Sequence, residues 1–199
     1  MYLYGASGHG KVIAEIAEEN NIKIEAFIDS DPLKTQLLGY PVLHSLPDEA
    51  AELIISIGNN KVREQLSIKY SKVKFLSLIH PKSNISKRSE IEAGTVVMAG
   101  VTINSETNIG KHCIINTNAS IDHDCKIGNF VHISPNAALA GGVTIGEGTH
   151  IGIGASIIPG VKIGKWCTIG AGSVIIRDVN DFEVVVGNPS KKIKYNSSS

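Results

Sequence analysis

The chain has 199 residues, with 19 Lys plus Arg against 19 Asp plus Glu. That balance leaves no basic stripe for a nucleic-acid partner, and no apolar run reaches the length of a membrane span. The opening MYLYGASGHGK lacks the charged-then-apolar layout of a signal peptide, so a cytoplasmic protein is expected.

Residues 1–79 alternate between strand and helix signals, which argues for a small parallel sheet of Rossmann type. Residues 1–4 read as a short strand, and Gly5-Ala6-Ser7-Gly8-His9-Gly10 as a loop. Over residues 11–19, Val12, Ile13, Ile16 and Ala17 share one face of a helix. A second strand is expected over residues 24–28, ending at Asp29, before a turn-rich stretch opened by Asp31-Pro32. A strand over 40–43, a short helix over 47–51, a strand over 53–57, a helix over 61–70 and a strand over 73–79 follow. His80-Pro81 then introduces a second domain, residues 80–199.

Three features stand at strand C-termini, the side on which open α/β sheets bind ligands. A Gly-rich loop between strand and helix can cradle phosphate on backbone N–H groups, which singles out Gly5, Ser7, Gly8, His9 and Gly10. Its G-x-x-G-x-G spacing is not the dinucleotide G-x-G-x-x-G, and a plain tight turn is the alternative. Asp29 stands where an acidic side chain meets a ribose hydroxyl. Gly58-Asn59-Asn60 ends a later strand and makes Asn59 a further candidate. Together they suggest a nucleotide-bearing ligand smaller than a dinucleotide.

From Ile85 to Ile175 every sixth residue is a large aliphatic, with no step missed. Four positions after each comes a small or β-branched residue, from Ser89 to Ser173. A helix needs a period near 3.6 and a plain strand a period of 2. A period of six is the hexapeptide signature of a parallel β-helix, in which both series point inward. Gly often follows the aliphatic, as at Gly110, Gly128 and Gly146, and is expected to help the chain turn its corners. Cys113, Cys125 and Cys167 belong to the small inward series and read as core, since no CxxC spacing supports a metal or redox site.

His123 lies two positions after the inward Ile121 and so outside the coil, in a polar stretch with Asn116, Asn118, Asp122 and Asp124. A carboxylate beside a histidine orients the ring and supports its protonated form, as a general base requires. Neighbouring strand residues point to opposite faces, so Asp124 reaches His123 only at a bend or corner. His112 and His150 read as solvated or packed side chains.

The repeat resembles the left-handed β-helix acyltransferases. The segments YGASGHGK, FIDSD, ISIGNN and LIHP ahead of it are similar to those of nucleotide-sugar acetyltransferases of the PglD/NeuD group, over nearly the whole chain. The resemblance implies a left-handed coil of eighteen residues per turn, a nucleotide sugar on the first domain and acetyl-CoA on the β-helix. It implies that the Gly loop and Asp29 contact the nucleotide sugar. Asn116, His123 and Asp124 match the family's N-x6-H-[ED] motif for the base and its acidic partner, with Asp where Glu is common. His132 matches a second histidine that contacts acetyl-CoA, and Asn116 is placed with it. Eighteen residues above His123 is Gly141, whose N–H can serve as an oxyanion donor. The close Gly187-Asn188-Pro189-Ser190 resembles the end of hexapeptide acyltransferases, with Lys191 and Lys192 placed to face CoA phosphates or simply solvated. Trp166 is a candidate for a subunit contact.

The expectation is an acetyl-CoA-dependent N-acetyltransferase, with no metal, acting on a UDP-4-amino-4,6-dideoxy sugar of the bacillosamine type. Alternatives are a GDP- or dTDP-linked amino sugar, O-acetylation of sialic acid or a related sugar, and a purely structural β-helix subunit. A zinc site of the γ-class carbonic anhydrase kind is disfavoured, because no two histidines have its four-residue separation. The family resemblance implies a homotrimer with active sites at the subunit boundaries.

Overall fold

The computed structural model describes residues 1–47 and 51–196. The helix expected over 47–51 and the tail Ser197-Ser198-Ser199, read as disordered, fall wholly or largely outside them. The first sheet holds β1 (Tyr2–Tyr4), β2 (Ala26–Ile28), β3 (Gln36–Leu37), β4 (Tyr40–Leu43), β5 (Glu52–Ile55) and β6 (Lys74–Phe75). Their order is β3-β4-β2-β1-β5-β6, parallel apart from the β3–β4 hairpin. Among the described residues two helices connect them, α1 (Gly8–Glu19) and α2 (Asn60–Lys69). α1 begins three residues before the expected 11–19, so Gly8, His9 and Gly10 form its first turn. It buries Ile13, Ala14, Ile16 and Ala17, the i, i+3, i+4 stripe of a helix lying on a sheet.

The strand expected over 73–79 is two strands. Lys74–Phe75 pairs with β5, whereas Leu78–Ile79 pairs with Val96–Val97 in the β-helix. The backbone shows the exchange: Leu76 N–H donates to Leu53 and Leu78 N–H to Thr95. An unbroken β-propensity signal cannot show that its hydrogen-bond partners change midway.

Beyond it the chain winds into a triangular prism of three sheets, parallel apart from the last strand, Lys191–Tyr195, which pairs antiparallel with Glu183–Val186. The register is eighteen residues on every face, as in Val96–Ile114–His132–His150–Thr168 on the first. It shortens only at the last coil, where Thr168 pairs with Val184. From Val97 onward the inward aliphatics are at most 4% exposed, and Ile85 and Ile91 close the open end partly buried. Burying each such side chain contributes about 1.5–3 kcal/mol.

The corners correct one expectation. The glycines after the aliphatics do not have positive φ. From Ile91 to Ile169 the left-handed residue comes three positions after the aliphatic: Glu106, His112, Asn118, Asp124, Phe130, Asn136 and Trp166, or Gly where the sequence allows. The glycine beside the aliphatic is needed for stacking instead. A Cβ at Gly128 would lie 2.7 Å from Glu147 N, and one at Gly146 2.5 Å from Gly164 C.

The small inward residues also do more than fill space. Thr95, Thr107 and Thr149 each donate at 2.7 Å to a corner carbonyl fifteen residues on. Cys113, Cys125 and Cys167 make the same kind of bond, at 3.1 Å to Gly128, 3.3 Å to Ala140 and 3.0 Å to Asn180.

The prism is not polar all round. Leu78, Val96, Met98 and Ile114 project from its first face into one cluster with Leu3, Ile13, Ile16 and Ile54. The first domain therefore sits on that face, and the apolar column ends where His132 begins.

Candidate active site

β1 runs into Gly5, whose φ is 122° and whose Cβ would lie 2.8 Å from the Ser56 carbonyl oxygen. Both backbone and space require glycine there. Ser56 Oγ donates to the Gly5 carbonyl at 2.9 Å, and Ala6 N–H donates to Asp29 Oδ2 at 2.9 Å. Gly10 lets α1 approach the Gly5 carbonyl and the Phe27 ring, whereas Gly8 has nothing within 4 Å of a built Cβ. Ser7 is the N-cap of α1 but its side chain makes no capping bond. The positive end of that helix is open toward any anion placed against it. α2 is different: Asn59 Oδ1 caps it by accepting from Val62 N–H at 3.0 Å. That cap takes one lone pair of Asn59 Oδ1 and leaves its amide donors for a ligand.

Asp29 is engaged within the protein. Lys34 Nζ and Asp31 N–H reach its carboxylate at 2.8 and 3.0 Å, beside Ala6 N–H. Burial would raise this carboxyl, but Lys34 and the two N–H groups outweigh it and hold it below the usual range. Asp29 thus ties the Gly loop to β2.

Where the apolar column ends, His132 and His150 stack at 4.7 Å between ring centroids. Thr117 N–H donates to Asn116 Oδ1, turning the Asn116 amide toward His132 Nε2 at 3.1 Å. Nε2 is then an acceptor and the proton sits on Nδ1, which is buried with no hydrogen bond among the described residues. His9 Nε2, in the first turn of α1, is likewise buried and unpaired. Burial, then His150 and Arg63, holds His132 down to about 3, and burial with Arg63 holds His9 at about 4. Ser134 Oγ lies 2.8 Å from His150 Nε2. His112 is packed between Phe75 and Phe130, with a 5% exposure.

Arg63 fixes the first domain to this edge, and its position within a polar helix gave no signal of that. Its side chain, 1% exposed, donates to the carbonyls of Ile57, Gly58, His112 and Phe130 and to Asn60 Oδ1, all at 2.9–3.1 Å. Those acceptors belong both to the loop after β5 and to two corners of the prism.

His123 stands on another edge, between the second and third faces. Asp124 is a corner residue with φ 60°, which brings its side chain round to its neighbour: Oδ2 lies 2.7 Å from His123 Nδ1. Asp122 Oδ1 accepts from the His123 N–H at 2.8 Å and from Asn104 Nδ2 at 2.8 Å. The hydrogen bond to Asp124 and then the charge of Asp122 raise the imidazole above its ordinary pKa. Nε2 makes no hydrogen bond among the described residues, and the side chain is 60% exposed. Gly141 lies directly above: a Cβ there would fall 2.5 Å from His123 Cε1.

Within one chain the expected residues form two groups. Asn116 follows the first face and His123 the second, because seven residues carry the chain past one whole face. Asn116 therefore joins His132, not His123. Lys191 and Lys192 lie exposed on the last strand, Lys191–Tyr195, where Lys192 Nζ bonds Tyr195 OH at 2.9 Å. Trp166 sits in its corner under Lys61 Nζ, 4.7 Å from the ring centroid, and lines a cavity of about 650 Å³ with Asn59, Asn60 and His150. No group of three or more metal-ligating side chains occurs among the described residues.

Residues 1–70 match the PglD N-terminal domain, and residues 106–141 and 142–177 match the bacterial transferase hexapeptide repeat. A curated relative, UDP-N-acetylbacillosamine N-acetyltransferase of Bacillus subtilis, is 41% identical over 109 residues. That match spans 49% of this chain and half the length of the relative. Among solved structures, a mutant of perosamine N-acetyltransferase from Caulobacter crescentus, in complex with CoA and GDP-perosamine, is 36% identical with a TM-score of 0.93. The similarity covers 97% of this chain and 96% of that one. The acetyltransferase domain of PglB from Neisseria gonorrhoeae, in complex with acetyl coenzyme A, is 37% identical over 96% of this chain and 98% of its own, with a TM-score of 0.91.

Proposed function

We propose that this chain, which belongs to the family of hexapeptide-repeat sugar N-acetyltransferases, transfers an acetyl group from acetyl-CoA to the amino group of a nucleotide-linked amino sugar. A UDP-linked 4-amino-4,6-dideoxy sugar is the acceptor favoured by the Bacillus relative. Residues 1–79 hold the nucleotide sugar, its diphosphate against the uncapped α1 turn at Ser7, Gly8 and His9, and residues 80–199 hold acetyl-CoA. The observation that carries the reading is the His123–Asp124 pair beneath the bare backbone of Gly141.

His123 Nε2 takes the proton that the sugar nitrogen loses as it bonds to the thioester carbonyl. Asp124 holds Nδ1 and supports the imidazolium that results. The Gly141 N–H donates to the oxyanion. Collapse breaks the C–S bond, and His123 returns the proton to the departing CoA sulfur. No acyl-enzyme is needed, as the three thiols are buried in the prism and burial pushes Cys113 up to about 12.

A homotrimer accounts for the two separated groups. In one chain the nucleotide loop lies with Asn116 and His132, and the base lies on a different edge. Side-by-side prisms bring unlike edges together into a cleft, and closed symmetry repeats it. Lys191 and Lys192 then serve CoA phosphates. The test is to mix acetyl-CoA with UDP-, GDP- and dTDP-linked amino sugars and with hydroxyl-bearing sugars, and to follow free thiol. Thiol release with an amino sugar nucleotide is expected, and release with hydroxyl acceptors alone overturns N-acetylation. Full activity at a monomeric mass by light scattering removes the shared site.

A further inference from the structure

The Gly141 N–H serves an oxyanion only if its peptide is held with the N–H turned outward. We infer that Cys125, sealed inside the prism, is a positioning residue that fixes the Ala140–Gly141 peptide so that its N–H points outward over His123. The inference rests on the acetyl-transfer reading of that site.

Cys125 is 0% exposed, and its Sγ lies 3.3 Å from the Ala140 carbonyl oxygen. In a trans peptide the C=O and N–H are antiparallel. A carbonyl drawn inward by Cys125 therefore sends the Gly141 N–H outward. One coil below, the same device is complete. Thr107 Oγ1 holds the Asp122 carbonyl at 2.7 Å, and the outward His123 N–H is met at 2.8 Å by Asp122 Oδ1. At the next level Ala140 takes the place of Asp122 and has no side-chain acceptor to offer. Gly141 N–H donates to no group among the described residues, while Gly142 N–H goes to the His123 carbonyl and the Gly141 carbonyl accepts from Gly160. One coil higher the column reaches Pro159, which has no N–H. On this edge, level 141 presents an oriented and unspent donor against the proposed base.

Two other corners show the same arrangement with its donor spent. Thr95 holds Gly110, and the Lys111 N–H that turns outward donates to Asn129 Oδ1. Thr149 holds Gly164, and the Lys165 N–H donates to Asp181 Oδ1. A single S–H···O bond is weak, but it acts on a peptide whose misalignment counts directly in the transition state.

The experiment compares Cys125→Val, Cys125→Thr and, as a control, Cys167→Val. Val and Thr both fit this inward column, since Val143 lies one coil above Cys125 and Thr107 one below. Cys167→Val deletes the same kind of bond, to Asn180, away from His123. Oxyanion donors are worth about 10²–10³ in kcat, so a loosened one should cost roughly 3–30-fold. Expected for Cys125→Val is that loss in kcat with both KM values unchanged, recovery in Cys125→Thr, and wild-type kcat in Cys167→Val at a similar thermal midpoint. Cys125→Val at wild-type kcat overturns the positioning role while leaving acetyl transfer standing. Equal kcat losses in Cys125→Val and Cys167→Val assign the effect to prism stability and overturn it as well. Absence of thiol release in the wild-type protein defeats the underlying reading instead.

Discussion

His123 and His132 are nine residues apart on the same repeat, yet the fold gives them opposite properties. His123 is exposed on an edge, bonded to a carboxylate, and raised in pKa. His132 lies beneath the first domain, stacked on His150, with no carboxylate partner among the described residues, and is held down to about 3. The coil geometry is the same in both places. What differs is whether another layer covers the face: desolvation disfavours imidazolium at His132, and open solvent with Asp124 favours it at His123. A β-helix thus builds a proton acceptor where it is bare, and a neutral hydrogen-bonding surface where it is capped.

The largest effect should come from the bare edge. His123→Asn is expected to lower kcat by about 10²–10⁴, with acetyl-CoA and nucleotide-sugar affinities unchanged by calorimetry. Retained turnover would mean that the contrast between the two histidines has no bearing on catalysis. Gly141→Ala places a methyl against the His123 ring, and about 10²-fold in kcat should be lost as the ring and the N–H separate. A crystal structure of that variant with an unmoved imidazole and full activity would break the argument.

On the covered side, Gly8→Val fills the open space at the α1 N-terminus. Nucleotide-sugar affinity should weaken by roughly tenfold, about 1.4 kcal/mol, while acetyl-CoA affinity stays the same. Loss of acetyl-CoA binding instead would reverse the assignment of ligands to domains.

Asp124→Asn should act mainly through pH. His123 must be neutral to accept a proton, so kcat/KM falls as pH drops through its raised pKa. Without the carboxylate the folded-state pKa moves down, and the acid limb should shift to lower pH; an unshifted limb would remove Asp124 from that role.

A separate effect concerns stability rather than turnover and follows the buried histidines. Their folded-state pKa values lie below the unfolded value: about 3 for His132 and about 4 for His9 and His112. The unfolded chain therefore binds protons first as pH falls. Stability is full above about pH 6.5 and declines toward pH 4, by up to roughly 1.4 kcal/mol per pH unit for each histidine. Urea midpoints between pH 7 and 4 test this. His132→Phe should flatten the decline, and an equally steep one would mean that His132 is not held neutral.

The sequence by itself determined the prism, because a six-residue period has one simple physical solution and each hexad repeats it. It also placed His123 outside the coil and Asp124 beside it, since inward positions are set by that period. The first domain's alternation of strands and helices was equally readable from local patterning. Other features depended on residues far apart in the chain. From Ile91 to Ile169 the left-handed φ belongs to the third residue after the aliphatic, and the glycines next to the aliphatics answer to the coil above. The outward apolar column Leu78, Val96 and Ile114 looks like an error in the repeat until the first domain covers it. Asp29 looks free until Lys34 and the Gly loop close on it. Asn116 and His123 look like one motif, yet seven residues carry the chain past a face and onto another edge. A local pattern reports which way a side chain points; only the tertiary structure decides what it meets there.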